Sequence, residues 1–256
     1  MEIKLLSQEE YKLSFEIEDT DHVLTNTLRR TIAEEVPTLA IEEATFRENS
    51  SALYDEMIAA RLGLVPLKTD LKSYVLPAEA KNESDPSAFV NFKLKTKGPG
   101  KVYASDLKSQ DPKIQPVYQE MIIVSLLKNQ VLELEATAIL GQGKTHMKFS
   151  PGLAYYHQKA KVAVKQKDPG EFRNKYPSQI FDKNDNIDPK LINTPQLIDA
   201  CKNINKSIIE VKEDPNSFTF YLESWGQLSV KEIMKEAIKK FSDKLDEFEK
   251  QIKKLK

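Results

Sequence analysis

Ile3 and Leu5, then Tyr11, Leu13, Phe15 and Ile17, alternate with polar neighbours. A period of two sends successive side chains to opposite faces of a strand, so two antiparallel strands are predicted around a turn at residues 7–10. The period then changes. Asp19, Thr20 and Asp21 offer capping oxygens, and Leu24, Leu28 and Ile32 recur at four-residue steps behind them. That predicts a helix from about His22 to Glu35, stopped by Pro37. Taken alone, its short apolar stripe reads as ordinary core. Alternation resumes over residues 39–49, predicting a strand. A short helix is expected from about Tyr54 to Leu62, with Gly63 as a left-handed C-cap and Pro66 beyond it.

Residues 70–87 read as a polar loop. Strands are expected in 89–98, 122–129 and 131–140, and from about Leu153 to Val164. Residues 166–206 change character: prolines at 169, 177, 189 and 195 and many Asn and Asp suggest a small appended subdomain, with a weak helix from Pro195 to Ile204. Two strands, 208–211 and 218–224, are expected to flank a turn at 213–217. The last segment is the most regular. Ser229 and Glu232 form a capping box. After it Met234, Ile238, Phe241, Leu245, Phe248, Ile252 and Leu255 recur at alternating steps of four and three, a heptad seam. Nearly thirty residues of helix reach about 40 Å, more than a small domain is wide. Its far end is expected to overhang, leaving the seam in need of a partner. The alternative is that the seam packs on the chain's own sheet.

Composition narrows the function. Of 256 residues 30% are charged, yet the net charge is −1. The basic excess of a free nucleic-acid binder is missing, so no direct nucleic-acid contact is expected. A single cysteine, Cys201, rules out an intrachain disulfide, leaves a cysteine-held metal centre short of ligands, and fits a reducing cytoplasmic compartment. No signal peptide and no membrane-spanning run of ~20 apolar residues is visible. His22, His146 and His157 stand at no metal-ligand spacing.

Gly143, Lys144 and Thr145, with Gly141 just before, resemble the end of a phosphate loop. The full pattern requires glycine at 138, where this chain has Ala138, and a helix afterwards, which Pro151 and Gly152 leave no room for. A glycine-bearing turn between two strands is the expectation. The aspartates of residues 182–188 lack the glycine and glutamate of a calcium loop. No nucleophile–histidine pattern, H-E-x-x-H or G-x-G-x-x-G occurs, so the chain does not read as a catalyst on its own.

Four stretches, in order, resemble one family. DHVLTNTLRRTIAEEVPTLAIEEATF at 21–46, with Asn26, Leu28, Arg29 and Arg30, is similar to the first helix and following strand of the alpha-like subunits of multisubunit RNA polymerases. DEMIAARLGLVPL at 55–67, GQGKTHMKFSP at 141–151 and FTFYLESWGQLSVKEIMKEAIKKF at 218–241 resemble later signatures of that family, most closely its archaeal branch. The resemblance implies an α+β fold and a non-catalytic assembly subunit. It implies a dimerisation domain of mostly antiparallel sheet plus helices (1–42 and 216–256), an inserted mixed domain (43–165 and 207–215) and a small degenerate ferredoxin-like insert (166–206). It implies pairing with the smaller alpha-like subunit, L, through Leu24, Leu28, Arg29, Arg30 and Ile32 and through Met234, Ile238, Phe241, Leu245, Phe248 and Ile252. Arg61, Lys144, His146 and Lys148 would face other subunits: the small zinc subunits N and P and the second-largest, catalytic subunit. Arg29 and Arg30 would make charge-assisted bonds to a neighbour's carboxylates or carbonyls.

One departure bears on cofactors. Many archaeal members hold iron–sulfur clusters in this insert through a series of cysteines. KYPSQIFD at 175–182 resembles a Cys-Pro-x-x-Val-Phe piece of it, with Tyr176 where the cysteine stands. One thiolate cannot hold a cluster that needs three or four, so no iron–sulfur cluster and no other cofactor is expected. Two rival readings are a nucleotide-binding enzyme using the GKT turn and a coiled-coil adaptor unrelated to transcription. The second explains the last helix but not the N-x-L-R-R run.

Overall fold

The computed structural model describes residues 1–82 and 85–255. The elements, in chain order, are β1 (Glu2–Gln8), β2 (Lys12–Glu18), α1 (His22–Glu35), β3 (Pro37–Asn49), α2 (Asp55–Gly63), β4 (Phe89–Lys97), β5 (Gly100–Tyr103), β6 (Lys108–Ser109), β7 (Ile122–Leu126), β8 (Val131–Gln142), β9 (Gly152–Val164), α3 (Pro195–Cys201), β10 (Ile209–Ser224) and α4 (Val230–Lys254). Antiparallel sheets with few helices make this an α+β fold, as the pattern and the resemblance predicted. The chain forms two compact units. One comprises Met1–Ser7, Ser14–Asn26 and Tyr155–Tyr221; the other comprises Gln8–Leu13, Thr27–Ala154 and Leu222–Lys256.

The first unit holds most of a four-stranded sheet ordered β1-β2-β10-β9. Phe15 stacks on Phe220 at 5.2 Å, and Tyr156 meets Phe218 edge-on at 5.6 Å. Lys159 bridges Glu16 and Glu18 at 2.8 and 2.7 Å. A second cluster gathers Tyr176, Ile180, Ile187, Ile192, Cys201, Ile208 and Ile209. The turn expected at 213–217 does not form; β10 runs straight through it. The Asp214 carboxylate takes the Asn216 N–H at 3.0 Å and the Ser217 hydroxyl at 3.2 Å, while the Asn216 carbonyl accepts from the Thr20 N–H at 3.0 Å. These bonds serve the turn-like Asp-Pro-Asn-Ser run without reversing the chain, and β10, paired on both sides, stays extended. Residues 182–188 form the expected polar turn, with Asp182 accepting the N–H groups of Asn184 and Asn186.

The second unit is built on the antiparallel sheet β3-β8-β4-β6. β8 alternates as its sequence predicts, burying Leu132, Leu134, Ala136, Ala138 and Leu140. β3 pairs with it from Pro37↔Gln142 to Asn49↔Leu132. Ile58 and Leu62 of α2 join that core. Gly63 is not a left-handed cap. It is the last residue of α2, and Leu64 closes the helix at φ −94°, ψ 0°. A Cβ on Gly63 would make only an ordinary contact, 3.5 Å from the Ile41 carbonyl oxygen, and the backbone there is not left-handed, so neither space nor conformation demands glycine.

Both expected helix starts form. The Asp21 carboxylate accepts the Leu24 N–H at 2.8 Å ahead of α1. Ser229 and Glu232 close the capping box ahead of α4, with Glu232 taking the Ser229 N–H at 3.0 Å.

Candidate functional site

The 141–151 turn is bound to the C-terminal end of α1. The Lys144 N–H donates to the Glu34 carbonyl at 3.0 Å, and the Gln142 side-chain amide donates to the Glu35 carbonyl at 2.8 Å. Both carbonyls belong to the last turn of a helix, which has no intrahelical donors left for them. Gly143 is required by this approach: a Cβ there would sit 1.9 Å from the Ala33 carbonyl oxygen. The Thr145 N–H is also engaged, on the Gln142 carbonyl at 2.9 Å. A phosphate loop needs free N–H groups at the positive end of a helix. Here they cap carbonyls at the negative end, which has the wrong sign for a phosphate.

Charges near the turn are paired within the chain. Glu35 is buried and meets Lys244 at 2.6 Å and Lys144 at 3.5 Å. Burial pushes its carboxyl pKa up, but the two ammonium groups outweigh that and hold it below its ordinary value. The Lys148 side chain, only 13% exposed, bonds the Ile41 carbonyl at 2.9 Å and pairs with Glu42. The His146 Nδ1 accepts the Lys148 N–H at 3.1 Å, capping the short 3-10 turn Met147–Phe149. Lys144 and His146 remain exposed, whereas Lys148 is a strut inside its own unit.

The arginines divide similarly. Arg30 makes a two-pronged pair with Glu34, a carboxylate one turn along α1, at 3.0 Å for each bond. Arg29 is half-buried. Arg61 donates to the Ile123 carbonyl at 2.8 Å, tying α2 to β7. Ile32 is fully buried and belongs to the core; Leu28 is half-buried, and Leu24 is exposed. A four-residue spacing carries no information on burial, and this stripe runs from exposed Leu24 to fully buried Ile32.

α4 carries the clearest surface. It buries Val230, Ile233 and Ala237 and half-buries Met234 and Phe241. Ile238, Leu245, Phe248, Ile252 and Leu255 are exposed, with Leu245 at 52% and Phe248 at 65%. From Ser242 to Leu255 every residue is exposed. The heptad seam overlaps the buried face near the start of the helix, where Met234 and Phe241 are half-buried, and runs on bare where the helix continues past residue 241. The sequence pattern missed two other exposed apolar sets. Ile3 and Leu5 lie bare on the edge strand β1. Leu64, Tyr118, Met147 and Trp225 line one groove, although three of them lie in segments with no periodic signal.

Cys201 is buried in the apolar cluster with Tyr176 and Ile180, and burial pushes its thiol pKa up, against the thiolate that a metal requires. Among the described residues no three His, Cys, Asp or Glu side chains stand together as metal ligands. These residues do not fit an iron–sulfur cluster. Among the described residues, no helix is long and apolar enough to cross a membrane.

Comparison with known proteins bears on the whole chain. Residues 40–152 match the model of the RNA polymerase Rpb3/RpoA insert domain. DNA-directed RNA polymerase subunit Rpo3 of Pyrococcus horikoshii is 35% identical over 100% of this chain and 99% of its own length. Subunits of the same name from Natronomonas pharaonis and Archaeoglobus fulgidus are 34% and 31% identical, over 97% and 99% of this chain and 96% and 98% of theirs. The identity is spread over full lengths and joins the exposed seam and the capped turn in one chain, which therefore belongs to the Rpo3 family of RNA polymerase subunits, the archaeal alpha-like subunits.

Proposed function

We propose that this chain is a non-catalytic assembly subunit of a DNA-directed RNA polymerase in the cytoplasm. It pairs with the small alpha-like subunit L, and the pair docks the zinc subunits N and P and the second-largest subunit. The observation that carries this reading is the bare row on α4: Ile238, Leu245, Phe248 and Ile252, exposed along a helix whose every residue from Ser242 to Leu255 is exposed. An apolar row of this length is unfavourable in water and fits a partner helix with the same period. The dimerisation domain of residues 1–42 and 216–256 would carry this pairing. The inserted domain (43–165 and 207–215) would offer Lys144 and His146 to further subunits. The 166–206 insert works without an iron–sulfur cluster, its place taken by apolar packing around Tyr176 and Cys201. No step of nucleotide chemistry is assigned to this chain, and no direct contact with nucleic acid.

Light scattering on size-exclusion fractions tests this, with the chain alone and co-expressed with the small alpha-like subunit of the same organism. A stable one-to-one complex supports the pairing. A monomer that ignores that subunit overturns it. Calorimetry with magnesium and ATP is expected to give no heat of binding; saturable binding would revive the nucleotide reading.

A further inference from the structure

β1 is an edge of the β1-β2-β10-β9 sheet, so one side of its backbone has no strand of this sheet to bond. All seven of its residues are exposed, Ile3 at 64% and Leu5 at 56% among them. Natural edge strands are commonly blunted by proline, by several lysines or by extreme shortness. β1 runs for seven residues, has no proline and carries one lysine, Lys4. Its backbone is open to the addition of another strand, in the manner of β-augmentation.

We propose that this edge pairs with β1 of a second copy of the chain. The strand's own charges select that occupant. Two copies related by a two-fold axis perpendicular to the sheet run antiparallel, and residues opposite each other lie on the same face of the joined sheet. Odd positions must then face odd ones, and even positions even ones. With Ile3 on the axis, Glu2 of each copy faces Lys4 of the other, and Met1 faces Leu5. Both charges are matched twice on one face, and the apolar side chains meet on the other. An axis at Glu2 or Lys4 would set like charges against each other. An axis at Leu5 would oppose Glu2 to Gln8 and Lys4 to Leu6, which matches no charge. The strand is thus complementary to itself with Ile3 at the centre. Met1–Ser7 belong to the first compact unit and the α4 row to the second, so this contact goes beyond the pairing with the small alpha-like subunit and does not rest on it.

The test is light scattering on size-exclusion fractions of the full-length chain over a concentration series, for the wild type, Glu2→Lys and Lys4→Glu. Both positions are exposed, so thermal midpoints are expected to stay close to that of the wild type. The wild type is expected to form a dimer as concentration rises. Either single change sets like charges opposite each other twice, and should weaken that dimer on the order of tenfold. An equimolar mixture of the two variants should restore it, because every facing charge is then matched. Glu2→Lys with Lys4→Glu in one chain should dimerise as the wild type does. All of these variants keep the α4 row intact, so association through that row would not follow this pattern. A wild type that stays monomeric would overturn the proposal. So would a dimer that neither single change weakens, or one that mixing fails to restore. None of these outcomes decides the pairing with the small alpha-like subunit, which co-expression reads separately.

Discussion

The 141–151 turn and the second half of α4 both look like places to meet a partner, and they treat their side chains in opposite ways. The turn turns its chemistry inward. Gly143 packs on the Ala33 carbonyl, Lys144 and Gln142 cap α1, and Lys148 is held by Ile41 and Glu42. The helix half-buries the start of its apolar row, at Met234 and Phe241 beside Val230, Ile233 and Ala237, and leaves the rest of the row bare past residue 241. The difference is one of satisfaction. A charge surrounded by its own chain's acceptors has little left for a neighbour, whereas an exposed Phe or Leu in a regular row has no favourable alternative to a partner.

The largest expected effect breaks the outward half of that comparison. Leu245→Asp with Phe248→Asp should weaken pairing with the small alpha-like subunit by on the order of 1,000-fold, about 4 kcal/mol, because two unpaired carboxylates would have to be buried. Both residues are exposed in the lone chain, so its thermal midpoint should not move. Survival of the pair in co-purification would show that the seam faces something else. On the inward half, Gly143→Ala should destabilise the lone chain by about 3 kcal/mol in urea unfolding, since the added Cβ meets a helix carbonyl that cannot swing aside. No loss of stability would mean that the turn is not seated on α1.

Lys148→Met is expected to cost about 2 kcal/mol, by leaving the Ile41 carbonyl and Glu42 without their donor. Smaller still is the pH effect of Glu35. Its folded pKa lies below the ordinary carboxylate value, so its contribution is complete above that value and fades as pH falls through the folded one. Thermal melts of wild type and Glu35→Gln should therefore differ by about 1 kcal/mol or less at neutral pH and converge in acid, since Lys244 and Lys144 are solvent-screened. A difference that grows in acid would reverse the assignment. Lys144→Ala, at the exposed end of the same cluster, should change stability by less than about 0.5 kcal/mol.

Much of this was readable in the chain, and the exceptions share a cause. α1 spans His22–Glu35 as its caps and spacing predict, and the Ser229–Glu232 box opens α4. Local rules sufficed because caps and periods are local. The 213–217 turn failed because the strands on either side of β10 decide whether an Asp-Pro-Asn-Ser run bends. Gly63 and Gly143 were visible as glycines, but not what each approaches: the Ile41 carbonyl 22 residues earlier in one case and the C-terminal turn of α1 in the other. The groove could not be seen at all, since Leu64, Tyr118, Met147 and Trp225 come from four separate segments.

Periodicity, capping and the ordered family stretches were enough to establish an α+β chain of the alpha-like subunits with a heptad row on its last helix, because each of those signals lies within a few turns of backbone. Which stripe closes on its own core and which stays open depended on folding. Ile32 went inside and Phe248 stayed outside, although both sit on regular apolar rows. Burial is a property of what the rest of the chain brings alongside a residue, and spacing along one helix carries no information about that.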